Sequence, residues 1–108
     1  MTLWEMLDKT LYDGNVLIYE RNTYDQCMKI FQGKVNDARQ DSDRVWDYLM
    51  QPIEQWICGN RWTLIYVKNH YYNDLLETQY RNSDKWTREK HPWKSSYEVE
   101  NELRELVG

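Results

Sequence analysis

Four side chains in this chain of 108 residues carry donors suited to metal or thiol chemistry: Cys27, Cys58, His70 and His91. A structural zinc site usually builds its ligands from clips two to five residues apart, and no two of these four lie that close. Both cysteines fall within expected strands, where a small buried thiol is the ordinary role. A cysteine and a histidine can also meet in space as nucleophile and base. Nothing around either thiol, such as a helix N-terminus immediately after it, points to an activated thiolate. Carboxylates are spread along the whole chain, so no pair stands out as acid and base. Gly14, Gly33, Gly59 and Gly108 are too scattered to cradle a phosphate. The residue types therefore predict a protein that is not an enzyme and carries no metal or cofactor.

Two clusters suit binding instead. The first is acidic: Asp37, Asp41, Asp43 and Asp47, with Asp43 and Asp47 four apart on an expected helix. Like charges at that spacing cost about a few tenths of a kcal/mol. Carboxylates near a helix N-terminus are ordinarily explained by the helix dipole. The functional account is a patch that imitates phosphates and faces a basic nucleic-acid channel of a partner protein. Glu98, Glu100, Glu102 and Glu105 could join that patch or simply be solvated. The second cluster, residues 85–94, interleaves bases with aromatics, including Trp86, Arg88, Lys90 and Trp93. Such a segment can stack on nucleobases and neutralise phosphate. It can equally form a protein interface, or the two indoles can pin a long loop while the bases stay in solvent. All three roles stay open.

The elements that must position these clusters follow from periodicity. Thr2 and Glu5 make a capping box for a first helix with Leu3, Leu7 and Leu11 on one side, stopped at Asp13-Gly14. Residues 16–20 and 27–35 read as a hairpin around a turn at 22–25, with Met28, Ile30 and Gln32 on one face and a bulge or bend at Gly33. Residues 36–41 read as a polar connection. Asp41 or Ser42 then caps a helix bearing Val45, Trp46 and Leu49, closed by Pro52. Residues 53–58 and 61–67 flank Gly59-Asn60, the strongest hairpin signal in the chain. In the last strand Trp62, Leu64 and Tyr66 alternate with Thr63, Ile65 and Val67, so both faces are apolar and the strand is central or covered on both sides. Tyr71, Tyr72, Leu75, Leu76 and Tyr80 fit one face of a further helix. Ser95 and Glu98 cap the last one, with Val99, Leu103 and Leu106 as its stripe.

The length predicts one domain over 1–108, with a helix and two hairpins in 1–68 and a helical and loop part in 69–108. The fold class is α+β: a four-stranded antiparallel sheet of two hairpins with flanking helices packed on one side, or a small barrel of the same strands. Nine Tyr and six Trp stand against one Phe, more indole than one small core normally absorbs. Amphipathic faces account for Trp4, Trp46 and Trp62, Trp56 is ambiguous, and Trp86 and Trp93 lie outside periodic elements. A net charge of −4 disfavours non-specific duplex binding, which runs on phosphate neutralisation. No apolar run approaches the roughly 18–20 residues of a membrane span. The first five residues lack a basic region followed by an apolar one, so no signal peptide is expected and the cytosol is the default compartment.

The opening Met1-Thr2-Leu3-Trp4-Glu5-Met6-Leu7-Asp8, the hairpin after it, and the stretches Val45-Trp46-Asp47-Tyr48-Leu49 and Ser83-Asp84-Lys85-Trp86 are similar to small accessory proteins of phages and integrative elements in gut Firmicutes. That resemblance covers most of the chain and includes no catalytic motif. Proteins of this size and setting include anti-CRISPR inhibitors of type II-A effector nucleases; others are sponges that sequester immune signalling nucleotides. The resemblance implies a non-enzymatic inhibitor in the host bacterial cytosol that binds a CRISPR effector complex. A nucleotide ligand is the alternative, and a homo-oligomer remains open. No binding residues carry over, because no site motif of that group is matched.

Overall fold

Two runs of residues, apolar on both faces, become the middle strands of one sheet: β1 (Asn15–Arg21) and β4 (Trp62–Lys68). The structure is a computed structural model that describes residues 1–10, 14–21, 25–42, 44–68 and 94–108. β2 (Cys27–Lys34) pairs antiparallel with β1, and β3 (Ile53–Cys58) pairs antiparallel with β4. The strand order is β2-β1-β4-β3, and β1 runs parallel to β4 from Asn15↔Trp62 to Arg21↔Lys68. Both expected hairpins form within a small α+β fold, but the sheet is mixed rather than antiparallel. The connection from residue 35 to residue 52 is the reason. It starts beside Gly14, whose carbonyl accepts from the Val35 amide, and ends beside Lys68, whose amide donates to the Pro52 carbonyl. The connection thus travels the length of the sheet and delivers the second hairpin with β4 parallel to β1. Near-continuous burial of both strands is the usual mark of such a central parallel pair. Among the described residues β2 and β3 do not pair, so the sheet is open and the barrel alternative is set aside.

Helices cover both faces, not one. On the first face lie α1 (Leu3–Glu5), the π-helical turn Met6–Thr10, α2 (Val35–Gln40) and the 3-10 helix Val45–Tyr48. Leu3, Met6, Leu7, Val35, Ala38 and Val45 pack there against Val16, Ile18, Ile65 and Val67. On the second face lies α3 (Ser96–Val107), whose Val99 and Leu103 meet Leu17, Tyr19, Leu64 and Tyr66. The alternation read in β4 therefore divides two cores, Ile65 and Val67 on one side and Leu64 and Tyr66 on the other. Fully burying one Leu, Ile or Val contributes about 1.5–3 kcal/mol, so each helical layer is anchored by several such terms.

Several local expectations change. The capping box forms, with the Glu5 amide donating to Thr2 Oγ1 at 3.3 Å and the Thr2 amide donating to Glu5 Oε1 at 3.2 Å. The helix it starts widens into the π turn after one turn. Val35, expected to end the second strand, and residues 36–40, expected within a polar connection, form α2, because Val35 and Ala38 sit three apart and both bury. The helix expected through Met50 is a four-residue 3-10 segment in which Val45 alone is buried. The bulge lies at Ile30, between Ile18↔Phe31 and Tyr19↔Lys29, while Gly33 stays in register opposite Val16. Gly33 is needed for another reason: its φ is 152°, and a Cβ there would stand 3.3 Å from the Phe31 ring. The second turn falls one residue later than expected. The Gly59 amide donates to the Trp62 carbonyl at 2.7 Å, leaving Asn60 and Arg61 as the turn, with Arg61 at φ 63°.

Candidate functional site

The outer surface of the first helical layer brings acids and indoles together. Burying Val35 and Ala38 turns Asp37 outward on α2. Asp41 then redirects the chain: its Oδ1 accepts from the Arg44 amide at 3.3 Å and its carbonyl accepts from the Trp46 amide at 3.3 Å. These bonds turn the chain toward the 3-10 segment, but its N-cap position is Arg44 and no side chain caps it, so the cap expected from Asp41 or Ser42 does not form. Trp46 Nε1 donates to the Arg39 carbonyl at 3.0 Å, which holds the indole edge on the layer and leaves 55% of the residue exposed. Asp47, the next residue, is also exposed. The N-terminus is laid along residues 49–53 by three main-chain bonds: Trp4 to the Leu49 carbonyl at 2.9 Å, Leu3 to Gln51 at 3.1 Å, and Ile53 to Met1 at 2.9 Å. Trp4 (44% exposed) and Met50 (76% exposed) therefore share this rim with Trp46. Arg39 is held inside the layer. Its Nε donates to the Leu7 carbonyl at 2.9 Å, Nη2 also reaches that carbonyl, and Nη1 donates to Asn36 Oδ1 at 3.2 Å. A π turn leaves carbonyl groups available that an α-helix would consume, and this guanidinium takes one.

The second face holds a different cluster, built around Glu102. Tyr19 donates its hydroxyl to Glu102 Oε2 at 2.6 Å, Lys94 Nζ approaches the same oxygen at 2.9 Å, and Lys29 Nζ pairs with Oε1. Burial works against ionisation of Glu102, but the bonds from Lys29, Tyr19 and Lys94 outweigh it and hold the carboxyl at about 2. Burial, reinforced by the Glu102 carboxylate, pushes the Tyr19 phenol well above its ordinary range. Tyr66 is also raised, chiefly by burial, although the Arg21 guanidinium 4.3 Å above its ring works the other way. These groups clamp α3 to β1, β2 and residue 94. Asp25 adds to the clamp: its Oδ2 accepts from the Ser96 amide at 3.1 Å and the Ser96 hydroxyl at 3.0 Å. With two cations and a phenol spent on one carboxylate, the cluster is a fastening and offers no free acid or base.

The expected site residues divide accordingly. Asp37, Asp41 and Asp47 lie on the first layer, whereas Asp43, Trp86, Arg88, Lys90 and Trp93 lie outside the described residues, as do His70, His91 and the helix expected around residues 71–80. The acids of α3 sit on the opposite side of the sheet from the aspartates, so the two acidic groups do not merge. Glu102 is tied up rather than solvated. Cys27 is buried as expected, but Cys58 is exposed. Trp4 and Trp46 are not absorbed by apolar faces; each is about half exposed, as is Trp56.

Two signals in the sequence pointed to what periodicity missed. Val45 and Trp46 are adjacent, and neighbours cannot both face inward on so short a helix. Glu102 falls between Val99, Leu103 and Leu106 on the apolar stripe itself, where a carboxylate needs partners.

A hollow of about 180 Å³ between β2 and the 3-10 segment is lined by Glu20, Met28, Lys29, Ile30, Arg44 and Tyr48, among others. Tyr48 donates to Glu20 Oε2 at 3.0 Å across it, and the space is small for a cofactor. Among the described residues no three His, Cys, Asp or Glu side chains gather as a metal site requires. No described helix is long and apolar enough to cross a membrane. No protein-family model matches the chain, and no curated protein and no solved structure is significantly similar to it.

Proposed function

We propose that the chain acts without catalysis, by binding a protein through the outer surface of its first helical layer. One observation carries this reading. Trp4, Trp46 and Met50 are exposed by 44%, 55% and 76% on the layer that also bears Asp37, Asp41 and Asp47. Tryptophan and methionine are enriched at protein interfaces, and an acidic border selects a partner with a basic surface. The resemblance to phage and mobile-element accessory proteins names that partner: a bacterial defence effector, foremost a type II-A CRISPR effector nuclease, whose nucleic-acid channel is basic. The acids then stand where phosphates would, and the setting is the host cytosol. The nucleotide-sequestering alternative depends on Trp86, Arg88, Lys90 and Trp93, outside the described residues, and no described feature favours it.

Titration calorimetry of the chain against a purified type II-A effector loaded with guide RNA tests the reading. A complex of micromolar affinity or tighter is expected. Trp46→Ala is expected to weaken it by at least about tenfold, or about 1.4 kcal/mol. Asp47→Lys is expected to lower the association rate and its salt dependence. No detectable complex at about 10 μM effector removes the reading.

A further inference from the structure

The two edges of the sheet are finished differently. β2 carries Lys29 and Lys34, is interrupted by the bulge at Ile30, and has Gly33 at φ 152°; Cys27 at its start is bridged to Lys94. Lysines, bulges and covering bridges are the usual protections against pairing with another chain. β3 has few of them. Its register shift, its single charge, Glu54, and the bond of its Ile53 amide to the Met1 carbonyl all lie at its beginning; beyond them Gln55, Trp56 and Cys58 are exposed, with Trp56 at 50%.

The direction of its main-chain groups is set by the turn. Gly59 donates to the Trp62 carbonyl, so by antiparallel alternation Ile57 and Gln55 also face β4. Trp56 and Cys58 turn their N–H and C=O groups outward. Next to this edge, on the α3 side, lies a groove of about 440 Å³ lined by Ile57, Gly59, Glu100, Leu103, Arg104 and Val107, among others. Positions 100, 103, 104 and 107 form one helical face, overhanging the strand end where a Cβ on Gly59 would stand 2.5 Å from Val107 Cγ2.

We propose that a second copy of this chain occupies that edge: β3 pairs antiparallel with β3 of its partner across a two-fold axis normal to the sheet near Ile57, joining two four-stranded sheets into one of eight. The features that commit the edge to its own copy are self-complementary, as a two-fold interface requires. The outward groups of Trp56 meet those of Cys58 in the other copy. Ile57 of each copy lies beside the other's groove, on the same side of the joined sheet. The axis also reverses α3, so Glu100 of one copy comes alongside Arg104 of the other, and the same contact repeats across the axis. The proposed pairing uses the β3 main chain and the α3 groove, none of which carries the effector-binding reading, so neither proposal depends on the other.

Sedimentation equilibrium of the chain between about 5 and about 500 μM tests it, because self-association must depend on protomer concentration. The mass is expected to rise from 13.4 kDa toward twice that value. Trp56→Lys places a charge on the edge without removing any bond to β4, and is expected to raise the dimer dissociation constant at least about tenfold. Glu100→Arg alone is expected to weaken the dimer, and Glu100→Arg with Arg104→Glu to restore it. A mass of 13.4 kDa throughout the range overturns the proposal and leaves the edge to an extended segment of a different protein. A dimer unaffected by Trp56→Lys, or not restored by the double exchange, overturns it too. Circular dichroism of each variant confirms that folded chains are compared.

Discussion

Glu102 sits on the apolar stripe of α3 and keeps its charge because Lys29, Lys94 and the Tyr19 hydroxyl surround it. Its folded pKa of about 2 lies below the ordinary 4.5. The stability it contributes is therefore fully present above about 4.5 and is lost as pH falls toward about 2. Glu102→Gln is expected to lower stability near neutral pH by about 1–2 kcal/mol, since both lysines retain access to solvent. It is also expected to flatten the fall in stability of the parent chain between pH 4.5 and 2. Urea unfolding at a series of pH values checks both. A variant whose midpoint falls with pH as steeply as the parent's would show that Glu102 is not the titrating group. Arg39 obeys the same logic with a neutral partner, its guanidinium meeting a carbonyl that the π turn leaves available.

The hairpins and the last helix are local objects, and local chemistry specified them. Ser95 caps α3 through the Glu98 amide at 3.4 Å, and Thr2 with Glu5 closes the box on α1. The course of the chain beyond the first cap was less legible. The first helix widens into a π turn whose Leu7 carbonyl accepts from Arg39 of α2, a contact across 32 residues that no spacing rule contains. The segment at 45–50 stops at a 3-10 turn because Asp41 takes the Arg44 and Trp46 amides and residues 49–53 are drawn into main-chain bonds with the N-terminus. Gly59 shows the same dependence. Its place at a hairpin was readable as a turn signal, yet it stands outside the two turn residues and is required by Val107 at 2.5 Å. Gly59→Ala is expected to destabilise the chain by about 1–3 kcal/mol through overpacking at the α3–hairpin contact. Pairing it with Val107→Ala is expected to recover much of that loss, measured by thermal unfolding. A neutral Gly59→Ala would mean that the end of α3 yields freely.

At the scale of the molecule, one mixed sheet divides two cores, and β1 and β4 are enclosed on both faces and both edges. Hydrogen exchange is expected to be slowest at residues 16–19 and 64–67, and markedly faster at Trp56 and Cys58 of β3, which lie beyond the stretch covered by the N-terminus. Outward amides of β3, at Trp56 and Cys58, should gain protection as protein concentration rises if the edges pair. Equal protection across all four strands at low concentration would contradict this ranking.

By itself the sequence determined the α+β class, the two hairpins, the two-faced burial of β4, and the caps of the first and last helices. Each of these depends on residues within a few positions of one another, where periodicity, turn chemistry and side-chain length suffice. Only the tertiary structure decided the parallel pairing of β1 with β4, the division of helices between two faces, and the separation of the aspartates from the acids of α3. Those depend on where an 18-residue connection carries the chain, from Val35 to Pro52, and the energy of that path lies in contacts between distant elements. The indoles obey the same rule. Their number was visible at once, but whether Trp4, Trp46 and Trp56 are buried or presented depends on which neighbours the folded chain places over them.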